Sequence, residues 1–314
     1  MHRFRVAEFS MWPTLSPGEE FVVTSSRAPV VGDVVALPHP GREDFWLVKR
    51  LSALQDETID GHGLLGPGMA WVTSDNPDVD AQDSSRFGPV QIGALHPRVE
   101  HLDQETFEEG VALLCTEEAQ FAGVITEFGP PPFWQRPGGF ATLVWLIMEQ
   151  QVSLESGAAM YRRLHALLGS IDPDSFARIT EADLRAIGVT RQKSLYLLAL
   201  ATRVASGELD LDGMGDIPFT EARRSLLEVK GIGPWTADAY LLSAMRFPDV
   251  FPVGDRALQV GTAEVLGMSN IPDEAELELI AEPWRPIRAV AARIIWHAYL
   301  KRRGRTEPAD PTAP

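Results

Sequence analysis

Along the first hundred residues the apolar positions come in short runs: Phe21-Val22-Val23, Val34-Val35-Ala36-Leu37, Trp46-Leu47-Val48 and Ala70-Trp71-Val72. Turn-forming clusters separate them, at Ser16-Pro17-Gly18, Gly32-Asp33, Pro38-His39-Pro40-Gly41 and Gly66-Pro67-Gly68. Strands this short, with turn chemistry roughly every ten residues, predict a small β-rich barrel or sandwich. From about residue 104 the apolar spacing changes to three and four, over 140–168, 193–205, 219–229, 235–245 and 286–300. That is the period of helices burying one face. Helix starts are signalled by Asp172-Pro173, by Thr180 with Asp183 three positions later, and by Pro218 ahead of Thr220. Pro308, Pro311 and Pro314 predict a disordered tail. The expected architecture is multidomain: a small N-terminal β-rich domain over 1–99, a junction at 100–106, an all-α domain over 107–303, and a tail at 304–314.

The chain has 314 residues, 45% hydrophobic and 23% charged, which suits two ordinary globular domains. Its one cysteine, Cys115, excludes an internal disulfide, a four-cysteine zinc site and a cysteine-held iron–sulfur cluster. No apolar run is long enough to span a bilayer, and the N-terminus MHRFRVAEF lacks a signal-peptide core. A cytoplasmic protein without a membrane partner is the expectation. The formal charge of -16 argues against non-specific polyanion binding. A local positive face could overturn that, and Arg285, Arg288, Arg293, Lys301-Arg302-Arg303 and Arg305 provide the residues for one. The seven histidines are scattered and predict no catalytic metal.

The most informative segment is Val229-Lys230-Gly231-Ile232-Gly233-Pro234-Trp235-Thr236-Ala237. One helix ends, two glycines bracket an aliphatic residue, and a proline sits at the first position of the next helix. Such a hairpin directs helix N-terminal N–H groups outward, where a phosphate can bind; a plain helix–helix connection is the other reading of the same residues. Downstream, Phe251-Pro252-Val253-Gly254-Asp255 places an acid at a helix start, where Asp is also a common N-cap.

With Gly129-Pro130-Pro131-Pro132-Phe133-Trp134, Glu149-Gln150-Gln151-Val152-Ser153 and Trp284-Arg285-Pro286 through Arg288 and Trp296, these motifs resemble the helix-hairpin-helix DNA glycosylase superfamily. The 3-methyladenine DNA glycosylase II type is the nearest, over residues 105–303. The resemblance implies a monofunctional glycosylase acting on alkylated bases in double-stranded DNA. It makes Asp255 the catalytic acid, and Gly231, Ile232, Gly233, Trp235 and Thr236 the DNA-binding hairpin. Gln151 becomes the wedge that enters the base stack, and Trp296 a wall of the flipped-base pocket. The resemblance also implies a K+ or Na+ ion on the carbonyls of Val229 and Ile232, and no required cofactor. Trp235 stands where the strand-nicking members carry a lysine nucleophile, and Lys230 is not read as one. A family pocket aromatic falls on Ala239, with Tyr240 next to it.

In the β-rich part, Ser10-Met11-Trp12-Pro13, Gly32-Asp33-Val34-Val35, Lys49-Arg50-Leu51, Ser74-Asp75-Asn76-Pro77 and Asp83-Ser84 resemble the type I signal peptidase family, over residues 3–99. Its short soluble members, the nickel superoxide dismutase maturation proteases, are the nearest. The resemblance makes Ser10 a nucleophile and Lys49 its general base, since a lysine among Trp46, Leu47, Val48 and Leu51 can be neutral. Two positions depart from the family: Glu8 replaces an oxyanion donor, and Ala81 replaces a serine that orients the lysine. Self-processing at Ala122-Gly123 is a further expectation. Two rival readings of the chain are a serine peptidase carrying a DNA-binding helical domain, and a non-enzymatic alkylation-damage binder. Asp255 separates them from the first, because a pure binding module needs no acid there.

Overall fold

The computed structural model describes residues 1–305, the side chain of Leu154 excepted; the predicted tail from 306 onward lies outside the described residues. The chain divides into two compact units, Met1–Leu113 with Arg285–Ile287, and Leu114–Trp284 with the chain from Arg288.

The first unit contains β1 (His2–Arg5), β2 (Glu20–Val23), β3 (Val34–Pro38), β4 (Trp46–Leu54), β5 (Thr58–Ile59), β6 (Gly63–Leu64), β7 (Met69–Thr73), the one-turn helix α1 (Ser84–Phe87), β8 (Val90–Gln91) and β9 (His96–Pro97). A sheet runs in the order β8-β7-β4-β3-β9, and β1 pairs with β2. Two backbone bonds join these sheets through β2 and β9, Thr24 N to Pro97 O at 3.0 Å and Val99 N to Val22 O at 2.9 Å. The four apolar runs seen in sequence are β2, β3, β4 and β7. β3 is apolar at consecutive positions because both of its faces are covered. Val35 and Leu37 pack with Leu47, Leu51 and Val72, whereas Val34 and Ala36 pack with Met11, Leu15 and Phe21. β4 instead alternates, burying Leu47, Lys49, Leu51 and Ala53, and a lysine in an inward slot is the exception there.

The units divide inside helix α2 (Gln104–Glu117), later than a junction at 100–106. The first turns of α2 are bound to β-unit residues. Glu109 accepts from Thr24 Oγ1 at 3.0 and 2.9 Å, and from the Ser26 hydroxyl.

The second unit is helical: α3 (Ala119–Phe128), α4 (Phe140–Glu149), α5 (Leu154–Leu168), α6 (Pro173–Phe176), α7 (Glu181–Ala186), α8 (Arg191–Ala205), α9 (Phe219–Leu227), α10 (Pro234–Ser243), α11 (Arg256–Leu266), α12 (Glu274–Ala281) and α13 (Arg288–Arg302). The capping signals hold. Asp172 and Thr180 each form a reciprocal capping box, with Ser175 and Asp183, and Pro218 is the N-cap of α9. The apolar pattern over 140–168 is two helices. It breaks at 150–153, where Gln151 adopts φ +56° and Ser153 caps α5 by accepting from Ser156 N. α4 is buried almost all round and packs against α5, α8 and α10, as a helix apolar on every side should.

The arginines expected to form a positive face are largely consumed inside the unit. Arg288 is buried and pairs with Asp249 at 2.8 Å and Glu278 at 2.8 Å. Arg293 is buried, and Arg302 and Arg303 pair with Glu264 at 3.6 and 2.7 Å. Their helical spacing arises from packing and from pairing with acids.

Candidate active site

Between the ends of α4, α10, α11 and α13 lies a cavity of about 320 Å³, whose walls include Trp134, Trp235, Asp255, Arg293, Trp296 and Tyr299. Three tryptophans and Tyr299 give the lining its flat aromatic surfaces, and Asp255 lies among them. Asp255 is the N-cap of α11, and its Oδ1 accepts from Leu258 N at 2.8 Å. The same oxygen accepts from Trp296 Nε1 at 3.1 Å, and Oδ2 accepts from Trp235 Nε1 at 2.7 Å. Three N–H donors on three helices therefore fix the carboxylate. Asp255 is at once a cap and a cavity acid, so its two sequence readings do not compete.

Trp235 reaches Asp255 because of the hairpin. α9 ends at Leu227, and α10 starts with Gly233 as N-cap and Pro234 in its first turn. Gly231 has φ +100°, and a Cβ there would sit 2.2 Å from the Tyr196 ring. Only glycine fits that contact and that backbone angle. A Cβ on Gly233 would meet nothing within 4 Å, so the N-cap of α10 is open to solvent, as an anion site at a helix N-terminus requires.

Residues 144–286 match the model of the HhH-GPD superfamily base excision DNA repair protein. That match falls within the helical part of the chain but for its last two residues. A DNA-3-methyladenine glycosylase of Bacillus subtilis is 30% identical over 172 residues, covering 51% of this chain and 57% of that protein. The chain thus spans a little over half the length of such curated relatives. Among solved structures, the DNA-3-methyladenine glycosidase of Bacillus halodurans is 29% identical with a TM-score of 0.54, covering 60% of this chain and 88% of that one. The 3-methyladenine DNA glycosylase of Schizosaccharomyces pombe, in complex with abasic DNA, has a TM-score of 0.56 at 20% identity, over 60% of this chain and 95% of that one. The last likeness is one of fold.

The helical frame brings Asp255, Trp235 and Trp296 together in one cavity and sets Gln151 apart, exposed on the turn between α4 and α5. Val229, Ile232 and Thr236 turn their side chains inward. Thr236 Oγ1 accepts from Gln150 Nε2 at 2.8 Å, so contact with a ligand at these three positions falls to the main chain. Lys230 is exposed and does not line the cavity. Ala239 is part of the wall, whereas Tyr240 is wholly buried and its hydroxyl accepts from Gly139 N at 2.8 Å. Burial pushes the Tyr240 hydroxyl up to about 12. Tyr240 is a core residue and does not replace the missing pocket aromatic. Sequence reasoning quoted Glu149 in a motif without giving it a role and passed over Arg136; the two form a cavity-side ion pair at 3.0 Å whose guanidinium lies 3.9 Å from the Trp145 ring centre. Nothing in their spacing marks them, because Arg136 lies in the irregular segment before α4 and Glu149 is the last residue of that helix.

In the β unit, Lys49 Nζ donates to Ser10 Oγ at 3.0 Å. Lys49 is 2% exposed, in register with Val35 and flanked on its face by Leu47 and Leu51. Burial lowers its pKa below the ordinary lysine range; Asp83, Glu8 and Asp75 pull it part of the way back. The Ser10 turn is held by Asn76, whose Nδ2 donates to Phe9 O at 2.9 Å and whose N donates to Ser10 O at 3.1 Å. Arg50 ties Asp75 (2.5 Å), Thr14 (3.1 Å) and Gly32 O (2.6 Å) around the same turn. Glu8 is exposed. Ala122 and Gly123 lie inside α3 between the buried Phe121 and Val124, so the bond expected to be self-processed is held in a helix, with Gly123 itself exposed. No described helix is long and apolar enough to cross a membrane, and the described residues hold no cluster of three metal-binding side chains.

Proposed function

We propose that the helical unit is a monofunctional DNA glycosylase of base-excision repair, acting on alkylated purines of the 3-methyladenine type in duplex DNA. The observation that carries this reading is the carboxylate of Asp255, fixed by two indole N–H groups and a helix N-terminus in an aromatic cavity. Cleavage of an N-glycosidic bond builds positive charge on the sugar at C1′. A preorganised carboxylate beside it stabilises that charge and orients water. The base leaves with the electron pair of the bond, which cancels its own positive charge, and water supplies the hydroxyl to C1′. Trp235, in place of an amine, cannot form a covalent intermediate with the sugar, so the strand stays intact.

The base must first leave the stack. Gln151 is the residue to fill the gap, and the aromatic walls receive the flipped ring. A monovalent cation, K+ or Na+, would sit on the carbonyls of Val229 and Ile232; the Val229 carbonyl accepts the Ile232 N–H at 3.0 Å and keeps a second lone pair for it. Such an ion would add positive charge where a phosphate approaches the hairpin. The test is base release from methylated duplex DNA by wild type, Asp255→Asn and Ser10→Ala. Release of 3-methyladenine by wild type and Ser10→Ala but not Asp255→Asn is expected. Binding of damaged duplex without any release would make the chain a damage binder instead.

A second reading concerns the β unit, and the 3.0 Å contact between Lys49 and Ser10 supports it. We read this unit as a signal-peptidase-like Ser/Lys peptidase. Neutral Lys49 takes the Ser10 proton as Oγ attacks a peptide carbonyl, and the acyl-enzyme is then hydrolysed. Glu8 is exposed, so water screens its charge at the developing oxyanion. Incubation with unfolded protein substrates should give fragments with wild type and none with Ser10→Ala; equal fragments from both would end this reading.

A further inference from the structure

Lys193 is a buried charge outside the cavity, and nothing in the proposed chemistry uses it. It is the third residue of α8, 8% exposed. Its ammonium donates to Met148 O at 2.7 Å and to Gln150 O at 2.9 Å, carbonyls left without helical partners where α4 ends. The next residue is Gln151, whose φ of +56° puts a side chain in the left-handed region, a conformation that persists only when its surroundings impose it. Gln151 and Val152 are exposed on a turn with no regular structure. Meanwhile the Gln150 side chain reaches across to the hairpin, donating to Gly231 O at 2.9 Å and Thr236 Oγ1 at 2.8 Å. One turn further along α8, the Tyr196 ring is the surface against which Gly231 packs. A single helix thus grips the Gln151 turn through Lys193 and seats the hairpin through Tyr196, with Gln150 joining the two.

We propose that Lys193 is a positioning residue for base flipping. By holding the two carbonyls that precede Gln151, it fixes that side chain in the geometry needed to enter the base stack, in register with the phosphate-binding hairpin. The inference rests on the reading of Gln151 as the wedge. An ammonium suits the task because it can donate to both carbonyls at once and is long enough to rise from α8; burial lowers its affinity for the proton, and neighbouring Glu149 works against that. Disorder at Gln151 would leave the cavity and Asp255 intact and would tax only the step in which the base is extruded.

That separation gives the test. Lys193→Met keeps the length and apolar stem and removes the donors. Single-turnover release is measured with an alkylated purine paired with thymine, and with the same purine opposite an abasic site, where extrusion costs less. Lys193→Met should release the paired base at least about tenfold more slowly than wild type and the unpaired base within about threefold, since extrusion alone is impaired. Gln151→Ala should show the same pattern, and the double variant should be no slower than the worse single one. A general loss of structure would slow both substrates alike, and that result, or no change on either, overturns the proposal. If Lys193→Met does not fold, Gln150→Met decides, since it cuts the link from turn to hairpin while leaving Lys193 in place, and it must show the same discrimination. Fluorescence of 2-aminopurine beside an abasic analogue reads wedge entry without chemistry, and Lys193→Met should lose most of the wild-type increase. A wild type that shows this increase but releases no base would remove the glycosylase reading alone; one that shows neither removes the clamp as well.

Discussion

Two indole N–H groups on one carboxylate are an unusual expense of tryptophan, and they give Asp255 its place in the cavity. The Leu258 N–H would satisfy an ordinary N-cap. The added bonds from Trp235 at 2.7 Å and Trp296 at 3.1 Å stop the side chain from rotating out to solvent. Asp255→Asn keeps one oxygen for the cap but removes the charge and turns an N–H₂ toward an indole donor, so base release in single turnover should fall by about 10²–10³ or more, with some loss of melting temperature from the unmade hydrogen bond. Trp296→Phe keeps the ring and loses one donor; a fall of roughly tenfold to a hundredfold, mostly in kcat, is the expected result. At Ser10 the pH dependence follows from Lys49. Its pKa is depressed by burial, so the neutral, proton-accepting form appears at a lower pH than for a free lysine. Acylation of Ser10 by a covalent serine reagent should rise with pH and level off below lysine's ordinary titration range. In Lys49→Met that rise should vanish.

At the level of elements, the hairpin is the most constrained turn of the helical unit. Gly231→Ala would place a Cβ 2.2 Å from the Tyr196 ring at a φ of +100°. Both effects oppose folding, and a loss of at least about 2 kcal/mol in denaturant unfolding is expected. Gly233→Ala has open space around it, so stability should change by less than about 1 kcal/mol while affinity for duplex DNA falls. This hairpin was legible in the sequence because glycine and proline carry local, type-specific information. So was the acid, which follows its own Pro/Gly turn. The break between α4 and α5 was not legible: Gln150, Gln151 and Val152 contain neither glycine nor proline, and the turn is imposed by Lys193 and the hairpin from a distance in sequence. Lys49 was legible in part: its apolar neighbours indicated burial and the family resemblance paired it with Ser10, but the geometry of that contact depends on the Asn76 and Arg50 links that shape the Ser10 turn, and these are long-range. The positive face was legible only in part, since Arg288 and Arg293 along α13 report packing and ion pairing while Lys301 and Arg305 stay exposed.

For the whole molecule, a net charge of -16 sets the terms on which any polyanion is met. Several cations that could contact phosphate are spent internally, Arg288 on Asp249 and Glu278, Arg223 on Asp238, Arg136 on Glu149, and Arg302 and Arg303 on Glu264, whereas Lys230, Lys301 and Arg305 stay exposed. What the hairpin offers a phosphate is mainly neutral N–H groups and a helix dipole, which displace few condensed counterions. A protein making six to ten cationic phosphate contacts loses affinity steeply with salt, with a logarithmic slope near −0.9 per contact. Two or three such contacts predict a slope of about −2 to −3 for this chain. Titration of a duplex with an abasic analogue between 50 and 200 mM salt measures it. At low ionic strength the acidic surface also repels DNA, so screening should offset part of the loss and flatten the curve further at its low-salt end. A slope steeper than about −6 would mean that arginines now paired with acids exchange those partners for phosphates on binding. The hairpin would then be only one part of a much larger contact surface, assembled on the DNA.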